Sequence, residues 1–359
     1  MHWELSDEHE MFATALRDWA TSSFPFDVVR ELRAEGRTAE FAAELVSAGW
    51  WGVGYPESAG GEGGGVLELG LAAREFGRAA APDSPWLAAA LVAALLTDEE
   101  LARQLSGETR FALAVRADRA PGWAPLMLDG AQVTGEVPHV LGAQDADVLL
   151  VPVAGSGGSA EAGAGVARVA VDAVELLPDD LLDASRRTAT VRLDGAAAGE
   201  VIPADPGVME RVAALAAALV AADSLGAAEK MLELSVEYSL QRHQFGRPIG
   251  SFQAVKHACA QMLVTVEAAY SSALYAAAAI DTGLEDAAVI AAVAKAQVGE
   301  TVASLADSAL TVHGAIGYTW EHDLQLLYKR AKLNRTLFGT SAVWNERIAS
   351  VLLDSAIAS

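Results

Sequence analysis

The sequence predicts an α+β protein in which a middle β domain, residues 109–205, lies between an N-terminal helical domain, residues 1–108, and a C-terminal helical bundle, residues 206–359. Three observations lead to this prediction. Apolar residues recur at helical spacing near both ends of the chain, and short Val- and Leu-rich runs separated by turn residues fill the middle. The length of 359 residues also exceeds what one compact core normally holds.

The first segment opens with a helix signal. Ser6 is a candidate N-cap followed by acidic residues, and Phe12, Leu16 and Trp19 repeat at helical spacing. Residues 55–66 are glycine-rich but match neither the dinucleotide-binding pattern nor the P-loop pattern. A turn between helices is therefore favoured there over a phosphate cradle.

The middle segment contains short apolar runs bounded by turn residues, which predict strands: Arg110–Ala117, Leu126–Gly135, Asp147–Val153, Val166–Val174 and Ala189–Leu193. Asp129-Gly130 and Asp194-Gly195 are dipeptides typical of hairpin turns. Residues 155–165 are rich in Gly and Ser and predict a flexible loop. These features favour a small antiparallel sheet.

The last segment contains long apolar stretches that predict a helical bundle. The expected helices run from Met209 to Arg242, from Phe252 to Ile280, from Asp286 to Val312, and onward from Ser341. A Gly-Arg-Pro turn at residues 246–248 separates the first two.

Composition excludes several classes of function. A net charge of −23 argues against nucleic acid and against an anionic membrane surface. The single Cys259 argues against a disulfide framework and a thiolate metal site, and no metal-binding motif is present. The apolar runs Trp86–Leu96 and Val212–Ala222 fall short of the roughly 20 residues of a membrane span. No export signal is recognisable, so we expect a soluble, cytoplasmic protein.

The few lysines indicate where a positive site lies. All five fall between Lys230 and Lys332, so we expect any positive site to lie in the last third of the chain. Two segments stand out there. Residues 241–253 place Arg242, Gln244 and Phe245-Gly246 at a helix end, where an arginine and a close backbone approach suit a pyrophosphate. An ordinary helix C-terminus explains the same residues equally well.

The second segment, residues 311–323, contains a tight turn bracketed by Gly314 and Gly317. The turn is compatible with a phosphate that approaches the backbone. Taken alone, it is better explained as a simple turn between helices, with His313 an ordinary packed histidine.

Together the two segments resemble the acyl-CoA dehydrogenase family. Arg242 opens R-x-x-F-G-x-P-I-x-x-F-Q, and His313 opens H-G-x-I-G-Y-T-W-E-H-D, in a chain of order α, β, α. Tyr55-Pro-Glu57 before the glycine run is similar to a further family loop. The resemblance covers nearly the whole chain and is strongest over residues 226–339.

The resemblance implies a flavoprotein that introduces a trans double bond between Cα and Cβ of an acyl-CoA thioester. A Glu removes the α proton while the β hydrogen leaves as hydride to FAD, and electron-transfer flavoprotein is the acceptor. FAD lies at a subunit interface of a tetramer. The residues implied to contact it are Arg242, Gln244, Phe245 and Gly246 at the pyrophosphate, Thr311, Gly314, Ala315 and Gly317 near the adenine, and Thr340 beside the flavin.

This sequence departs from the family at both usual positions of the catalytic Glu. One position holds Phe338 and the other Ala216. Asp223, two helical turns after Ala216, and Glu321 are weak candidates for a displaced base, with Asp323 a further one; each is also explained as an ordinary polar residue.

Other family positions depart as well. Thr311 and Ala315 stand where the family usually has Gln and Gly. The T-E-P-x-x-G-S-D loop that holds the flavin ring is not recognisable in residues 112–121, and residues 137–142 do not resemble the strand that follows it.

Three hypotheses follow. The favoured one is a non-catalytic subunit of a heterotetrameric acyl-CoA dehydrogenase, in which a homologous catalytic partner supplies Glu and most FAD contacts and the substrate is a sterol side chain or other fatty acyl group. The second is a self-sufficient dehydrogenase that uses Asp223 or Glu321. The third is a flavin-free helical protein that binds acyl-CoA or another protein.

Overall fold

The computed structural model describes residues 5–155, 165–205 and 207–358. The predicted flexible loop includes residues 156–164, which lie outside the described residues. The helices are, in chain order, α1 Asp7–Ser23, α2 Phe26–Ala34, α3 Ala39–Ser47, α4 Val66–Arg78, α5 Ser84–Val92, α6 Asp98–Leu105, α7 Val208–Gln241, α8 Gln253–Asp281, α9 Ala287–His313, α10 Leu324–Asn334 and α11 Ser341–Ala358.

The strands of the described residues lie mainly between α6 and α7. They are β1 Phe111–Leu113, β2 Leu126–Asp129, β3 Gln132–Leu141, β4 Val148–Gly155, β5 Gly165–Ala170, β6 Glu175–Pro178, β7 Thr188–Ala197, β8 Val201–Pro203, β9 His243–Gln244 and β10 Arg247–Pro248. The order α, β, α predicted from the sequence is confirmed. The boundaries predicted at 108/109 and 205/206 stay predictions.

The N-terminal helix begins where the sequence indicates. The Ser6 side chain accepts a hydrogen bond from the backbone N–H of His9, and the His9 side chain bonds back to the Ser6 N–H, a reciprocal cap. The glycine-rich stretch lies between α3 and α4, and its ends meet in a bridge between Tyr55 and Gly63. It is a turn between helices, as predicted.

The middle sheet has the order β6-β7-β3-β2-β4-β5-β8, with β1 also paired to β4. Most pairs are antiparallel, but β1 and β2 run parallel to β4. Asp129-Gly130 joins β2 to β3 as a hairpin, whereas the prediction of a hairpin at Asp194-Gly195 is wrong. That dipeptide lies inside β7, where Gly195 has φ +65° and its N–H bonds to the Thr134 hydroxyl, so the left-handed residue kinks a strand rather than turning it.

The C-terminal helices follow the sequence closely except for α10. No helix was predicted over residues 324–334, but they form one whose buried face includes Leu324, Leu327 and Arg330. The helix was not predicted because its buried face mixes leucines with polar residues such as Gln325, Arg330 and Asn334.

Among the described residues, three helical stretches are long and apolar enough to cross a membrane by length and composition: α7, α8 and residues 287–318. The apolar runs counted from the sequence were shorter because scattered polar residues interrupt them. In the most apolar window of α7, 89% of the window is buried inside the protein, so burial within the fold accounts for its apolarity. The corresponding share of α8 is 39%.

The chain divides into two compact units. The first contains residues 1–31, 66–81 and 217–359, and the second contains residues 32–65 and 82–216. In the second unit, a core of buried Val, Leu and Ala side chains includes Val133, Leu149 and Val191 of the sheet. In the first unit, α4 crosses α7 at Gly77 and Gly226, where the two backbones are in contact.

Candidate functional site

The segment that follows α7 forms a tight hairpin. Gln244 pairs with Arg247 and His243 with Pro248, and the turn residues Phe245 and Gly246 have φ values of +54° and +80°. Two left-handed residues in a two-residue loop define a type I′ turn, which glycine adopts at little cost and phenylalanine rarely does. The hairpin is held to the helix by a bond from the Ile249 N–H to the Arg242 carbonyl, 2.8 Å.

This hairpin presents unusual groups to its surroundings. Phe245 is 92% exposed, and its ring packs nearly at a right angle to that of Phe252 with 6.0 Å between the centroids. The Arg242 guanidinium is exposed and has no ion pair or hydrogen bond within the described part of the chain. Most arginines of this acidic chain are paired, including Arg17 with Glu75 and Arg74 with Glu229. Arg242 is therefore available to an anion from outside the chain.

The second predicted segment begins at the end of α9. Gly314 ends the helix with φ +64°, and a 3₁₀ turn follows over Gly314–Tyr318. A Cβ on Gly317 would lie 2.9 Å from the Leu310 side chain, so the turn packs closely on its own helix. Thr311, Gly314 and Ala315 are exposed, and the Thr311 hydroxyl donates to the Asp307 carbonyl at 2.9 Å.

An aromatic cluster joins the two segments. The Tyr238 ring, on the last turn of α7 before Arg242, stacks on His313 at 4.7 Å, and His322 packs edge-on against His313 at 4.7 Å. Nδ1–H of His313 donates to the Ala309 carbonyl at 2.8 Å. Burial lowers the pKa of both histidines below the ordinary value, and for His313 the neighbouring His322 adds to this. The histidines therefore act as neutral packing groups that hold the two turns together.

A buried lysine stabilises the turn at residues 338–340 through hydrogen bonds to backbone carbonyls. Phe338 is buried with φ +55°, Gly339 has φ +104°, and Thr340 is exposed. Nζ of Lys295 on α9 donates to the carbonyls of Gly339 at 2.9 Å and Asn334 at 3.0 Å. Burial lowers the pKa of Lys295 to about 7. Phe338, at a usual position of the family base, is thus a core residue.

Asp223 is part of a buried ion pair. Arg330 donates from Nε to Oδ1 at 2.9 Å and from Nη2 to Oδ2 at 2.6 Å, and Asn334 donates a further bond to Oδ1. Asp223 and Arg330 are both almost completely buried, as is Ala216. A carboxylate held by a bidentate guanidinium is a poor proton acceptor, so this geometry does not favour Asp223 as a base.

The remaining acidic candidates lie after the 3₁₀ turn. Asp323 forms an ion pair with Arg30 of α2. Glu321 is exposed, and within the described residues it forms no ion pair or hydrogen bond. Its role as a base stays a prediction.

The residues of this chain fit the diphosphate of a flavin dinucleotide but not its flavin ring. Arg242 and the backbone of Phe245-Gly246 are exposed donors suited to a diphosphate. In the sheet unit, residues 111–125 contain no Ser, Thr or Tyr, so no side-chain hydroxyl is available there for a flavin ring. Within the described residues, no group of three His, Cys, Asp or Glu side chains could hold a metal ion.

Sequence reasoning missed Tyr238, Lys295 and Arg330. Lys295 had a signal, since it is the only charged residue between Asp286 and Glu300 and therefore sits in an otherwise uncharged helix. The concentration of lysines in the last third predicts a positive site there. In the structure, Lys295 is buried, Lys230 pairs with Glu233 and Lys332 pairs with Asp307, whereas Lys256 is exposed like Arg242.

Two family models match the chain. The acyl-CoA dehydrogenase N-terminal domain matches residues 6–106, and the acyl-CoA dehydrogenase C-terminal domain matches residues 207–353. Acyl-CoA dehydrogenase FadE34 of Mycobacterium tuberculosis is 34% identical over 86% of this chain, which spans only 41% of the length of FadE34. Acyl-CoA dehydrogenase IpdE2 of the same organism is 33% identical, over 77% of this chain and 74% of that protein.

Solved structures share the fold over nearly the whole chain. The Tcur3481-Tcur3483 steroid ACAD has a TM-score of 0.85 at 26% identity, over 98% of this chain and 99% of the other. The ChsE4-ChsE5 complex of Mycobacterium tuberculosis has a TM-score of 0.83 at 24% identity, over 98% and 99% of the two chains.

Proposed function

Because this chain belongs to the acyl-CoA dehydrogenase family of oxidoreductases, we propose that it is the subunit of a heteromeric acyl-CoA dehydrogenase that completes the FAD site of a homologous catalytic partner. One observation carries the proposal. Arg242 lies beside a type I′ turn, is exposed and forms no ion pair or hydrogen bond among the described residues. The residue at one usual base position, Phe338, is a buried core residue.

The occupants of the two usual base positions support a non-catalytic role. Phe338 and Ala216 have no group that accepts a proton, and both are buried. Asp223 already accepts three hydrogen bonds from Arg330 and Asn334. A Glu that removes the α proton would therefore come from the partner.

The exposure of Phe245 supports a site that another chain completes. The Phe245 ring is 92% exposed on a left-handed residue, and in this proposal the partner chain or the bound cofactor covers it. Arg242 beside it would donate in-plane hydrogen bonds to a diphosphate, and Gly246 adds no side chain that would block the approach.

When bound, FAD supplies the hydride acceptor for α,β-desaturation of the thioester. In this proposal the residues of this chain bind and orient its diphosphate and adenine ends: Arg242, Gln244, Phe245 and Gly246 at the first, and Thr311, Gly314, Ala315 and Gly317 at the second. Thr340 would lie near the flavin. The flavin ring contacts would come from the partner, since residues 111–125 offer no hydroxyl.

The proposed substrate is a steroid or fatty acyl-CoA thioester, in line with the steroid ACAD among the structural neighbours and with the acyl-CoA dehydrogenases FadE34 and IpdE2. The ChsE4-ChsE5 complex, which shares this fold, is a precedent for an assembly of two different chains. The proposed electron acceptor is electron-transfer flavoprotein, and the proposed location is the cytoplasm.

The test is to purify the chain alone and with the homologous partner, and to measure FAD content and acyl-CoA oxidation. We expect the chain alone to be colourless and inactive and the complex to hold FAD. In the complex, Arg242→Ala should weaken FAD binding by about tenfold or more, because a charge-assisted bond to phosphate is lost. The control Arg37→Ala removes an exposed arginine that pairs with Glu35 and should leave FAD binding unchanged.

Two results would overturn the proposal. A lone chain that binds one FAD and oxidises acyl-CoA would favour the self-sufficient enzyme, and Asp223→Asn and Glu321→Gln would then identify its base by loss of turnover. A complex that holds no FAD, with acyl-CoA bound by the chain alone, would favour the flavin-free binding protein.

A further inference from the structure

A cavity of about 210 Å³ lies within the first compact unit, between the C-terminal ends of α1 and α4, the start of α2 and the second half of α7. None of the residues used in the proposed function lines it. An apolar cavity of about 150 Å³ in a protein core holds one benzene molecule, and a water molecule occupies about 30 Å³. The cavity is therefore large enough for one ring or short chain that carries a small polar group.

The backbone fixes the walls of this cavity. Pro25 separates α1 from α2 and lacks the N–H that would continue the first helix, so the chain changes direction there. On the other side, α4 and α7 touch at Gly77 and Gly226. Arg78 follows directly after the first of these glycines, and Lys230 lies one helical turn after the second. Walls that are already ordered lower the entropy cost of binding a ligand.

Half of the residues that line the cavity are apolar. They are Ala20, Phe24, Pro25, Phe26 and Ala79. The two alanines leave space that longer side chains would occupy, and the two phenylalanines provide apolar area for contact with a ligand. This part of the lining suits a short apolar body.

Three cations also line the cavity: Arg17, Arg78 and Lys230. Glu75 is the one carboxylate among the described lining residues, and its side chain is completely buried. Its two oxygens accept hydrogen bonds of 2.8 Å from Nε and Nη2 of Arg17. Nη1 of Arg17 forms no hydrogen bond among the described residues, so this neutral pair still has unused donors.

Arg78 and Lys230 share a single carboxylate. Glu233 accepts a hydrogen bond from Nη2 of Arg78 and another, at 3.3 Å, from Nζ of Lys230. Glu229 lies 3.7 Å from Arg78 but is already bound by Nε and Nη2 of Arg74. Two cations that share one carboxylate leave one positive charge in excess beside an apolar surface, in a chain whose net charge is −23.

We propose that this cavity binds a small monocarboxylate with a short apolar body. The body lies against Phe24, Phe26 and the two alanines, and the carboxylate accepts hydrogen bonds from Lys230 and Arg78. One carboxylate balances the excess positive charge, and the volume limits the body to about the size of one aromatic ring. The site is separate from the FAD contacts of the proposed function, since the two share no residue.

The probes are benzoate and its neutral isostere benzamide, titrated into the full chain by calorimetry. We expect saturable binding of benzoate. Lys230→Met keeps the length of the side chain but removes its charge, so it should weaken benzoate binding by about three- to tenfold and leave benzamide unchanged. The matched control is Lys256→Met, at an exposed lysine of the same unit, which should change neither.

A second variant tests the apolar part of the cavity. Ala79→Leu adds a side chain that fills the space, so it should weaken both probes by about tenfold or more. Thermal unfolding of each variant checks that the fold is retained. Thr21→Leu, at an exposed residue of the lining, takes the place of Ala79→Leu if that variant does not fold.

Three results would overturn the proposal. The first is absence of saturable benzoate binding to the wild type. The second is a Lys230→Met variant that binds benzoate as the Lys256→Met control does, or that loses both probes equally. The third is unchanged binding in the folded cavity-filling variant. The measurement uses the chain alone and without FAD, so failure of the proposed heteromeric function would not affect it.

Discussion

Lys295 is a buried charged side chain of the first unit. It is 1% exposed and faces the backbone carbonyls of Asn334, Arg335 and Gly339, with no carboxylate among its hydrogen-bond acceptors. These carbonyls end α10 and form the turn that precedes α11, so the ammonium group satisfies acceptors that the helix end leaves open. Burial without a counter-ion also explains its lowered pKa.

This pKa shift makes the stability of the chain depend on pH. The folded-state pKa of Lys295 is about 7 against an ordinary 10.5, so between these values the unfolded chain binds more protons and stability rises with pH. Comparison with Lys295→Met isolates the effect: the free energy of unfolding of the wild type should gain on that of the variant from pH 7 to pH 9, by at most about 1.4 kcal/mol per pH unit. Urea unfolding at both pH values measures it.

Lys332→Met is the matched control, because it removes a lysine of the same unit that pairs with Asp307. Its difference from the wild type should vary less between pH 7 and pH 9. A difference between wild type and Lys295→Met that is constant with pH would contradict the inferred environment of Lys295.

Single residues show where sequence reasoning succeeds and where it stops. The occupants of the two family base positions, Phe338 and Ala216, follow directly from counting along the motif. The partners of Asp223 do not, because Arg330 and Asn334 lie more than a hundred residues away in the chain and meet it only once α7 and α10 pack. Phe245 is exposed because it lies in the turn of the hairpin that β9 and β10 form, and this pairing is visible only in the folded structure.

At the scale of elements, the crossing of α4 and α7 leaves less space for an added Cβ than any other described glycine position. A Cβ on Gly226 would lie 1.7 Å from the Arg74 carbonyl oxygen, and one on Gly77 would lie 2.0 Å from that of Asp223. Both helices are fixed in place by side-chain ion pairs, Arg74 with Glu229 and Arg78 with Glu233. The crossing therefore permits no side chain at either glycine.

Gly226→Ala should destabilise the chain strongly, because the methyl group can be accommodated only if α4 and α7 move apart. We expect a loss of about 3 kcal/mol or more in the free energy of unfolding, measured by urea denaturation. The matched control is Gly122→Ala, whose added Cβ would meet nothing closer than 3.9 Å. Comparable stability of Gly226→Ala and the wild type would refute the close crossing.

The elements with strong local signals were predicted well. Helices α7, α8 and α9 begin and end within a few residues of their predicted limits, and α11 begins at Ser341 as predicted, because long apolar stretches mark them. The parallel pairing of β1 and β2 with β4 was not predictable, since it depends on how non-adjacent strands assemble. The Asp194-Gly195 dipeptide misled for a related reason: a left-handed glycine serves a kink as readily as a turn.

At the scale of the whole molecule, the compact units do not follow the linear segments. Helices α1 and α4 belong to the same unit as α8 to α11, whereas α3, α5 and α6 belong to the unit of the sheet. Linear composition cannot reveal this division, because it depends on which apolar faces meet in space. The packing of the helices accounts for the high apolar fraction of the chain. The most apolar window of α7 is mostly buried, and α8 and α11 carry exposed apolar side chains.

The exposed face of α11 is therefore a candidate subunit contact. Val351, Leu352 and Leu353 are 48%, 59% and 62% exposed in the single chain. If association with a homologous partner or a second copy covers them, each leucine contributes about 1.5–3 kcal/mol through burial. Leu353→Asp should then raise the dissociation constant of the assembly by about tenfold or more, measured by analytical ultracentrifugation.

Leu182→Asp provides the matched control, since Leu182 is 64% exposed but lies in the unit of the sheet. It adds the same charge to the chain without touching α11, so a general effect of acidity on association would appear in both variants. An assembly weakened by Leu353→Asp alone would show that the C-terminal helix is part of the contact. Equal association of both variants and the wild type would remove α11 from the interface and leave its apolar residues without that explanation.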